Sequence, residues 1–311
     1  MTLSNRKILR TLLCLLAGTL YAVCLSACDA KEPLSENRDA EIESPVIAND
    51  LSNQKVTAIA EDTQGHIWIG TFRGLNKNNV HDYHQYFCTD DSLGLPDNQI
   101  THLLRDSKNR FWVGTVNGVC LYTDKDNFRI IPIEADNKNV RQILEDRNGR
   151  IFLNTGFQLY AYHPREEKIT CVLPEICTGN TFYAQCHIAP DNNLWVMTST
   201  GLRCYDPSTL QLKESVALSG YPYYSYLHNN ELWITGNHTL SIFDTRTRSF
   251  KPLPQPIARN TTLCNADIDY IHPYGNNGLL LNTARHGMFY YNPGTGSVTR
   301  QDADTRTDRK S

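Results

Sequence analysis

Two stretches of the chain share a pattern that decides the fold. Residues 59–75 are IAEDTQGHIWIGTFRGL, and residues 103–119 are LLRDSKNRFWVGTVNGV. The two align without a gap, and four weaker copies follow them. Each of the six units carries one large apolar anchor residue: Trp68, Trp112, Phe152, Trp195, Trp233 and Leu280.

The spacing of the anchors, 38 to 47 residues, is the length of one four-stranded propeller blade. Inside each unit, apolar and polar residues alternate with the period of a strand. The first unit predicts strands at 56–61, 66–71, 74–78 and 83–87. A single blade cannot bury both of its faces, so the units must stack. We predict an all-β propeller of six recognisable four-stranded antiparallel blades, either a closed six-bladed ring or an incomplete seven-bladed one.

The anchors and the first turn of each unit have structural explanations. Each anchor is expected to fill the wedge between its blade and the next, as a core residue rather than a ligand-binding one. In the turn at 62–65, Asp can bond its own backbone and Gly can adopt a positive φ. Four later units carry an Asn in place of that Gly, which is the next best choice for this conformation: Asn109, Asn192, Asn230 and Asn277.

Residues 45–48 are apolar and lie just before the first unit. The N-terminal strand of a propeller often completes the last blade. We therefore expect residues 45–48 to pair with the sixth unit, so that the N-terminal and C-terminal segments meet.

The N-terminus has the plan of an export signal. Arg6, Lys7 and Arg10 precede a short apolar run, and small residues precede Cys28. This is typical of a secretory signal peptide, and it resembles a bacterial lipobox in which Cys28 is lipidated. An uncleaved membrane anchor is the alternative, although the run is short for a span.

The boundaries that follow are a signal peptide at 1–28, a charged flexible tether at 29–44, the propeller at 45–300 and a disordered polar tail at 301–311. We expect an exported, lipid-anchored protein on the periplasmic face of a membrane or at the cell surface.

The composition argues against several classes of function. A formal net charge of −3 over 311 residues predicts no nucleic-acid partner. Seven cysteines follow residue 28, an odd number without a CxxC pair, so neither a disulfide framework nor a zinc site is indicated. The sequence contains no catalytic or phosphate-binding motif. Residues 124–127 are expected to be a solvated turn. We predict no enzyme activity, no cofactor and no metal.

The run VTAIAEDTQGHIWIGTFRGLN at 56–76 resembles the two-component regulator propeller repeat, and DSLGLPDNQI at 91–100 resembles the inter-blade segment of the same family. That repeat occurs in the sensory half of hybrid two-component system proteins, chiefly of gut Bacteroidetes. The resemblance implies an extracytoplasmic propeller that senses a glycan or a glycan breakdown product. It also implies a signal passed through a membrane helix to a histidine kinase.

The chain departs from that family, which usually carries two seven-bladed propellers, a further β domain and the kinase. The sequence is therefore interpreted either as a stand-alone binding lipoprotein or as the front part of a sensor. Further propeller blades or a sensor kinase encoded downstream are its expected partners.

Candidate ligand-binding residues lie on one rim of the propeller. The turns between second and third strands and the connections between blades emerge there, and aromatic and Arg side chains in them suit sugar rings. The candidates are Phe72, Arg73, Asn117, Phe157, Tyr221, Tyr223, Tyr224, Tyr270, His272, Arg285 and His286. About half of the tyrosines at 221–226 are expected to be alternating core residues instead.

Carbohydrate sensing is the leading hypothesis. A propeller lyase or glycosidase is a second hypothesis. It needs convergent ionisable groups at the mouth of the channel, and two or more carboxylates or a His-metal site there would favour it. A protein-interaction module is a third hypothesis, which a large exposed apolar area on an end blade would favour.

Overall fold

The structure is a computed structural model. It describes residues 46–79, 81–89, 94–123, 125–176, 184–218, 220–275 and 277–301. The predicted signal peptide, the lipidation site Cys28 and the tether lie outside the described residues. Among the described residues, no helix is long and apolar enough to cross a membrane.

The described chain forms six antiparallel sheets, each from consecutive strands. The first three blades contain β1 (Val46–Ala48), β2 (Val56–Glu61), β3 (Ile67–Thr71), β4 (Gly74–Asn78), β5 (Tyr83–Tyr86), β6 (Ile100–Arg105), β7 (Phe111–Thr115), β8 (Gly118–Tyr122), β9 (Phe128–Ile131), β10 (Gln142–Glu145), β11 (Ile151–Asn154), β12 (Leu159–His163) and β13 (Lys168–Leu173). The last three contain β14 (Gln185–Ile188), β15 (Leu194–Thr198), β16 (Gly201–Tyr205), β17 (Leu212–Ala217), β18 (Pro222–His228), β19 (Glu231–Gly236), β20 (Thr239–Asp244), β21 (Ser249–Lys251), β22 (Ile268–Tyr274), β23 (Gly278–Thr283), β24 (Gly287–Asn292) and β25 (Ser297–Gln301).

The protein is a six-bladed β-propeller, as predicted. Blades two to six have four strands in the order of the chain, and the first blade has a fifth strand, β1, at its edge. The four strands predicted for the first unit are confirmed to within one residue at their ends. The last strand ends at Gln301, so it includes the first residue of the predicted tail.

Five of the six anchors are buried between successive blades, as predicted. Trp68, Trp112, Phe152, Trp195 and Trp233 are each at most 1% exposed. Each lies in a hydrophobic cluster that combines its own blade with the next one, and together these clusters fill five inter-blade interfaces. Burying side chains of this size stabilises each interface by roughly 2–3 kcal/mol.

The seam between the sixth and first blades lacks such a core among the described residues. Ile59 and Ile143 occupy the same register opposite the second strand of their blades, yet Ile59 is 65% exposed and Ile143 only 2%. Likewise, Ile67 is 37% exposed, whereas its counterpart Leu279 is 1% exposed. Leu280, the sixth anchor, is only half-buried. At each filled interface, the anchor of one blade packs against a face of the next blade. Among the described residues, the corresponding face of the first blade has no anchor packed against it.

The prediction that residues 45–48 complete the last blade is wrong. β1 pairs antiparallel with β5 of the first blade, whereas β25 pairs with β24, so the two terminal segments do not pair with each other. The short connection between β1 and β2 explains the difference. Gln85 Nε2 donates to the Asp50 carbonyl at 2.8 Å, and the Ser52 amide donates to Asn76 Oδ1 at 2.8 Å. These bonds hold the connection on the first blade, so β1 lies beside the outer edge of β5 and pairs with it.

Two short helices between β21 and β22 were not anticipated. They are α1 (Gln255–Ala258) and α2 (Thr261–Cys264). Asn260 caps α2 by accepting a hydrogen bond from the Leu263 amide at 3.0 Å. Ile257 and Leu263 are buried in the cluster between the fifth and sixth blades, so the helices extend that core.

Candidate functional site

The rim turns are held by a repeated threonine. The second strand ends at Thr71, Thr115, Thr198 or Thr283 in four of the blades. Each hydroxyl donates to a carbonyl at the start of the third strand, at 2.7 to 3.0 Å. All four threonines are buried, so the turns that follow them are fixed in place and their side chains project from a rigid base.

A cavity of about 520 Å³ opens on this rim, and we call it the rim cavity. Turns from the fourth, fifth and sixth blades contribute to it, and so do the first residues of β18 and β22. Its lining residues are Ser199, Tyr221, Pro222, Tyr223, Asn237, Asp267, Asp269 and Ala284. The expectation that second-to-third-strand turns and inter-blade connections meet on one rim is therefore confirmed here.

Two tyrosines form the aromatic part of the rim cavity. Tyr221 is 81% exposed and Tyr223 is 36% exposed, so both residues are accessible from solvent. Gly236 brings the Tyr221 backbone close to the end of β19, because a Cβ at position 236 would lie only 2.9 Å from the Tyr221 carbonyl oxygen. The small residue at 236 thus sets the position of the tyrosine segment.

Two carboxylates give the rim cavity a negative wall. Asp267 Oδ1 accepts a hydrogen bond from the His238 amide at 3.0 Å and lies 3.3 Å from His238 Nδ1. Asp269 is half-buried beside it. Burial raises the pKa of Tyr223, and the charges of Asp267 and Asp269 raise it further. The Tyr223 hydroxyl is therefore protonated at neutral pH and can donate a hydrogen bond.

A smaller cavity of about 230 Å³ adjoins the rim cavity. It shares Asp267 and Ala284 with the rim cavity, and its wall includes His238, Arg285 and His286. The structure thus brings four of the predicted binding residues into two neighbouring cavities: Tyr221, Tyr223, Arg285 and His286.

Four other predicted residues lie on the turns of the first three blades and line neither cavity. Phe72 is 43% exposed, and the Lys55 ammonium lies 4.1 Å from its ring centre. The amides of Arg73 and Asn117 donate to the threonines that precede them. Phe157 packs against the core between the third and fourth blades.

The remaining three candidates lie on the strands. Tyr224 packs into the core between the fifth and sixth blades, and its hydroxyl donates to the Ile271 carbonyl at 3.4 Å. Tyr224 and Tyr226 are thus the core tyrosines of the 221–226 segment. Tyr270 contacts the Tyr224 ring and stacks on His272 at a centroid distance of 6.1 Å. Neither Tyr270 nor His272 lines the two cavities.

Two carboxylates of the rim cavity, Asp267 and Asp269, were not predicted from the sequence. Asp267 and Asp269 flank Ile268, the first residue of β22. Their signal was available, because they occupy the inter-blade connection that was expected on the rim. Among the described residues, no group of three or more His, Cys, Asp or Glu could hold a metal ion. Cys88, Cys120, Cys171, Cys186, Cys204 and Cys264 are free thiols.

The first two blades match a known family. Residues 50–73 and 94–117 match the family model described as two component regulator propeller. These two segments are two-component regulator propeller repeats. They cover the connection, first strand, turn and second strand of each blade. No curated protein matches the chain.

Solved structures with this fold include extracellular domains of two-component and one-component system proteins. The extracellular domain of a hybrid two-component system protein from B. thetaiotaomicron is 18% identical with a TM-score of 0.65, and the match covers 84% of this chain and 37% of that one. The extracellular domain of a one-component system protein from the same organism is 22% identical with a TM-score of 0.61, covering 86% and 34%. This chain therefore spans little more than a third of those domains.

An enzyme has a similar fold. Virginiamycin B lyase from Staphylococcus aureus is 16% identical with a TM-score of 0.60, and the match covers 82% of this chain and 86% of that one. At these identities the similarity concerns the propeller fold and not the chemistry.

Proposed function

We propose that this propeller is an extracytoplasmic ligand-sensing module of a two-component signalling system and that it binds a carbohydrate in the rim cavity without transforming it. The observation that carries the proposal is the pairing of two accessible tyrosine rings with two carboxylates in one cavity. Aromatic faces pack on the C–H face of a sugar ring, and carboxylates accept hydrogen bonds from its hydroxyl groups. The family of the first two blades supports the signalling role.

A calorimetric screen of the purified chain against neutral, acidic and amino-sugar oligosaccharides tests this proposal. We expect at least one saccharide to bind, and the double variant Tyr221→Ala with Tyr223→Ala to lose at least tenfold in affinity. Each ring contributes about 1 kcal/mol of contact, and about 1.4 kcal/mol is tenfold. Phe72→Ala is the matched control, because Phe72 is an exposed rim aromatic outside the cavity. A folded sample that binds no saccharide contradicts the proposal.

The two carboxylates also favour a second function, a propeller hydrolase or lyase that acts in the rim cavity. This alternative requires that one of Asp267 and Asp269 transfer a proton to or from the substrate. It predicts new reducing ends or unsaturated products when the chain is incubated with the saccharide it binds. It also predicts that at least one of the variants Asp267→Asn and Asp269→Asn abolishes product formation while binding persists. Binding without any product supports the sensor.

The seam between the sixth and first blades supports a proposal about the partner. We infer that a further four-stranded blade occupies the seam. The reason is that Ile59 and Ile67 are exposed on the face that, in the other blades, packs against the preceding anchor. The partner chain that carries this blade is expected to belong to the same signalling system. Export and attachment through lipidated Cys28 complete the proposal, since lipid would hold the sensor at the membrane.

A fusion tests the partner proposal. Adding a second copy of residues 94–133 behind Gln301 supplies a blade for the seam. We expect the extended chain to unfold at a higher temperature in one transition, and the substitution Ile59→Ala, mild in the original chain, to become costly. If Ile59→Ala remains mild in the extended chain, a blade is the wrong occupant.

A further inference from the structure

The turn between β18 and β19 lacks a carboxylate that other blades have. In the first two blades the indole N–H of Trp68 or Trp112 donates to an aspartate six residues earlier, Asp62 or Asp106, at 2.8 Å in both cases. In the fifth blade this turn is only Asn229-Asn230. The shortened turn removes the position at which the aspartate would stand.

The indole N–H of Trp233 is left without an acceptor as a result. Trp233 is 1% exposed, and its Nε1 atom is buried with no hydrogen-bond partner among the described residues. An unsatisfied buried donor costs roughly 1–3 kcal/mol. The same residue lines a cavity of about 340 Å³ between the fifth and sixth blades, which we call the Trp233 cavity. The missing side chain and the cavity therefore coincide.

The Trp233 cavity combines an apolar floor with charged walls. Ile242 and Leu279 contribute the apolar part. Lys251 pairs with Asp244 at 2.7 Å and with Glu231 at 3.0 Å. The Lys251 ammonium lowers the pKa of Asp244 to about 2, so this pair stays ionised and satisfied.

Arg246 is the cation available to a ligand in the Trp233 cavity. It lines the cavity, is exposed, and makes no ion pair with any described residue. In the second blade the corresponding carboxylate is held by the indole N–H of Trp112 and also by Arg110, whose Nε lies 2.6 Å from Asp106 Oδ2. The fifth blade thus keeps a buried indole donor, and Arg246 lines the same cavity, but the turn aspartate of the first two blades is missing.

We propose that the Trp233 cavity binds a small carboxylate, which replaces the missing aspartate side chain by accepting hydrogen bonds from Trp233 and Arg246. The site is separate from the rim cavity. Asn230 and Asn237 flank the two ends of β19, and six residues of strand span roughly 20 Å. The site does not depend on the proposed sensing of carbohydrate.

Indole resonances of the ¹⁵N-labelled chain test the proposal, with sodium acetate as the probe. Trp233→Phe assigns the Trp233 signal. We expect acetate to move that signal in a saturable way and to leave the Trp68 and Trp112 signals unchanged. Acetamide is the neutral isostere, and sodium chloride at matched ionic strength is the salt control. Absence of a saturable shift, or an equal shift with acetamide, overturns the proposal.

Trp195 is an internal control. Its Nε1 atom is also buried without a partner among the described residues, because Ala189 stands where the aspartate would be. Trp195 does not line the Trp233 cavity. Its signal should not respond to acetate. A shift of the Trp195 signal equal to that of Trp233 would mean that acetate acts on the fold rather than at the cavity.

Two variants sharpen the test. Replacing Asn229-Asn230 by the turn Asp106–Arg110 supplies an internal carboxylate, and we expect it to abolish the acetate response. Arg246 is exposed, so Arg246→Ala should fold, and we expect it to weaken acetate binding at least fivefold while Arg246→Lys loses less. An unchanged response in Arg246→Ala would contradict the role given to this residue.

Discussion

The Trp112 indole donates a 2.8 Å hydrogen bond to Asp106, a carboxylate that is 3% exposed and that also accepts from the Arg110 side chain. The amides of Lys108 and Arg110 donate to its second oxygen at 3.0 and 2.8 Å. One aspartate thus fixes the turn between β6 and β7 and orients the anchor that fills the next interface.

Removing this aspartate should destabilise the protein strongly. We expect Asp106→Ala to lower the free energy of unfolding by about 3 kcal/mol, because it leaves a buried indole donor and a guanidinium without their acceptor. Denaturant unfolding followed by tryptophan fluorescence measures this loss. Asp97→Ala is the control, since it removes a bond from the Gln99 amide in a half-buried turn, and it should cost about 1 kcal/mol or less. Equal losses in the two variants would refute the role of Asp106.

A matched pair of isoleucines tests whether the seam between the sixth and first blades is unpacked. Ile143→Ala removes a 2% exposed side chain and should cost about 2–5 kcal/mol, the range for such core truncations. Ile59→Ala removes its 65% exposed counterpart and should cost less than about 1 kcal/mol. Urea unfolding measures the free energy of unfolding of both variants. A large loss for Ile59→Ala would mean that the first blade is covered in solution.

Two histidines on innermost strands should make stability depend on pH. Burial lowers the pKa of His102 and of His187 to about 4, below the ordinary value near 6.5. The unfolded chain therefore binds a proton below pH 6.5 while the folded chain does not, so the free energy of unfolding falls as the pH falls from 6.5 towards 4. Between pH 7.5 and 5 we expect a loss of up to ~2 kcal/mol per histidine.

The variant His187→Gln isolates one of these contributions. His187 Nε2 lies 2.8 Å from Ser225 Oγ, and a Gln amide can still bond a hydroxyl there. The variant should lose less stability than the original chain on acidification over the same range. A pH dependence identical in the two proteins would show that His187 titrates normally.

Local chemistry made much of this fold predictable. Gly65, Asn109, Asn192 and Asn277 all have positive φ, as expected of turns that require the left-handed conformation. In the shortened turn of the fifth blade, the residue with positive φ is Asn229 rather than the predicted Asn230. A deletion shifts the strained position, and alignment of the longer turns cannot place it.

Long-range choices were harder to predict. β1 pairs with the edge of β5 because hydrogen bonds to Gln85 and Asn76 restrain the connection between β1 and β2. The alternation of apolar and polar residues along a strand does not identify the strand with which it pairs. The prediction of a solvated turn is wrong for Asp126. Its carboxylate accepts hydrogen bonds from Tyr86 and Tyr122 at 2.7 and 2.6 Å, and thereby joins the first two blades.

Only part of the candidate site was predictable from the sequence. The rim was predictable, because blade connections and second-to-third-strand turns must emerge on one side. The sequence could not tell which blades carry a cavity, since that depends on how turns from three blades converge. Phe72 and Tyr221 look equivalent as exposed rim aromatics, yet only Tyr221 lies beside Asp267 and Asp269 in the rim cavity.

Hydrogen exchange in the presence of a bound saccharide tests the central claim most directly, because it locates binding without any substitution. We expect slower amide exchange in residues 220–226 and 265–272, with residues 62–66 and 106–110 at the opposite ends of the blades unchanged. Protection confined to those opposite turns, or no protection by a saccharide that calorimetry shows to bind, would contradict a sensing site in the rim cavity.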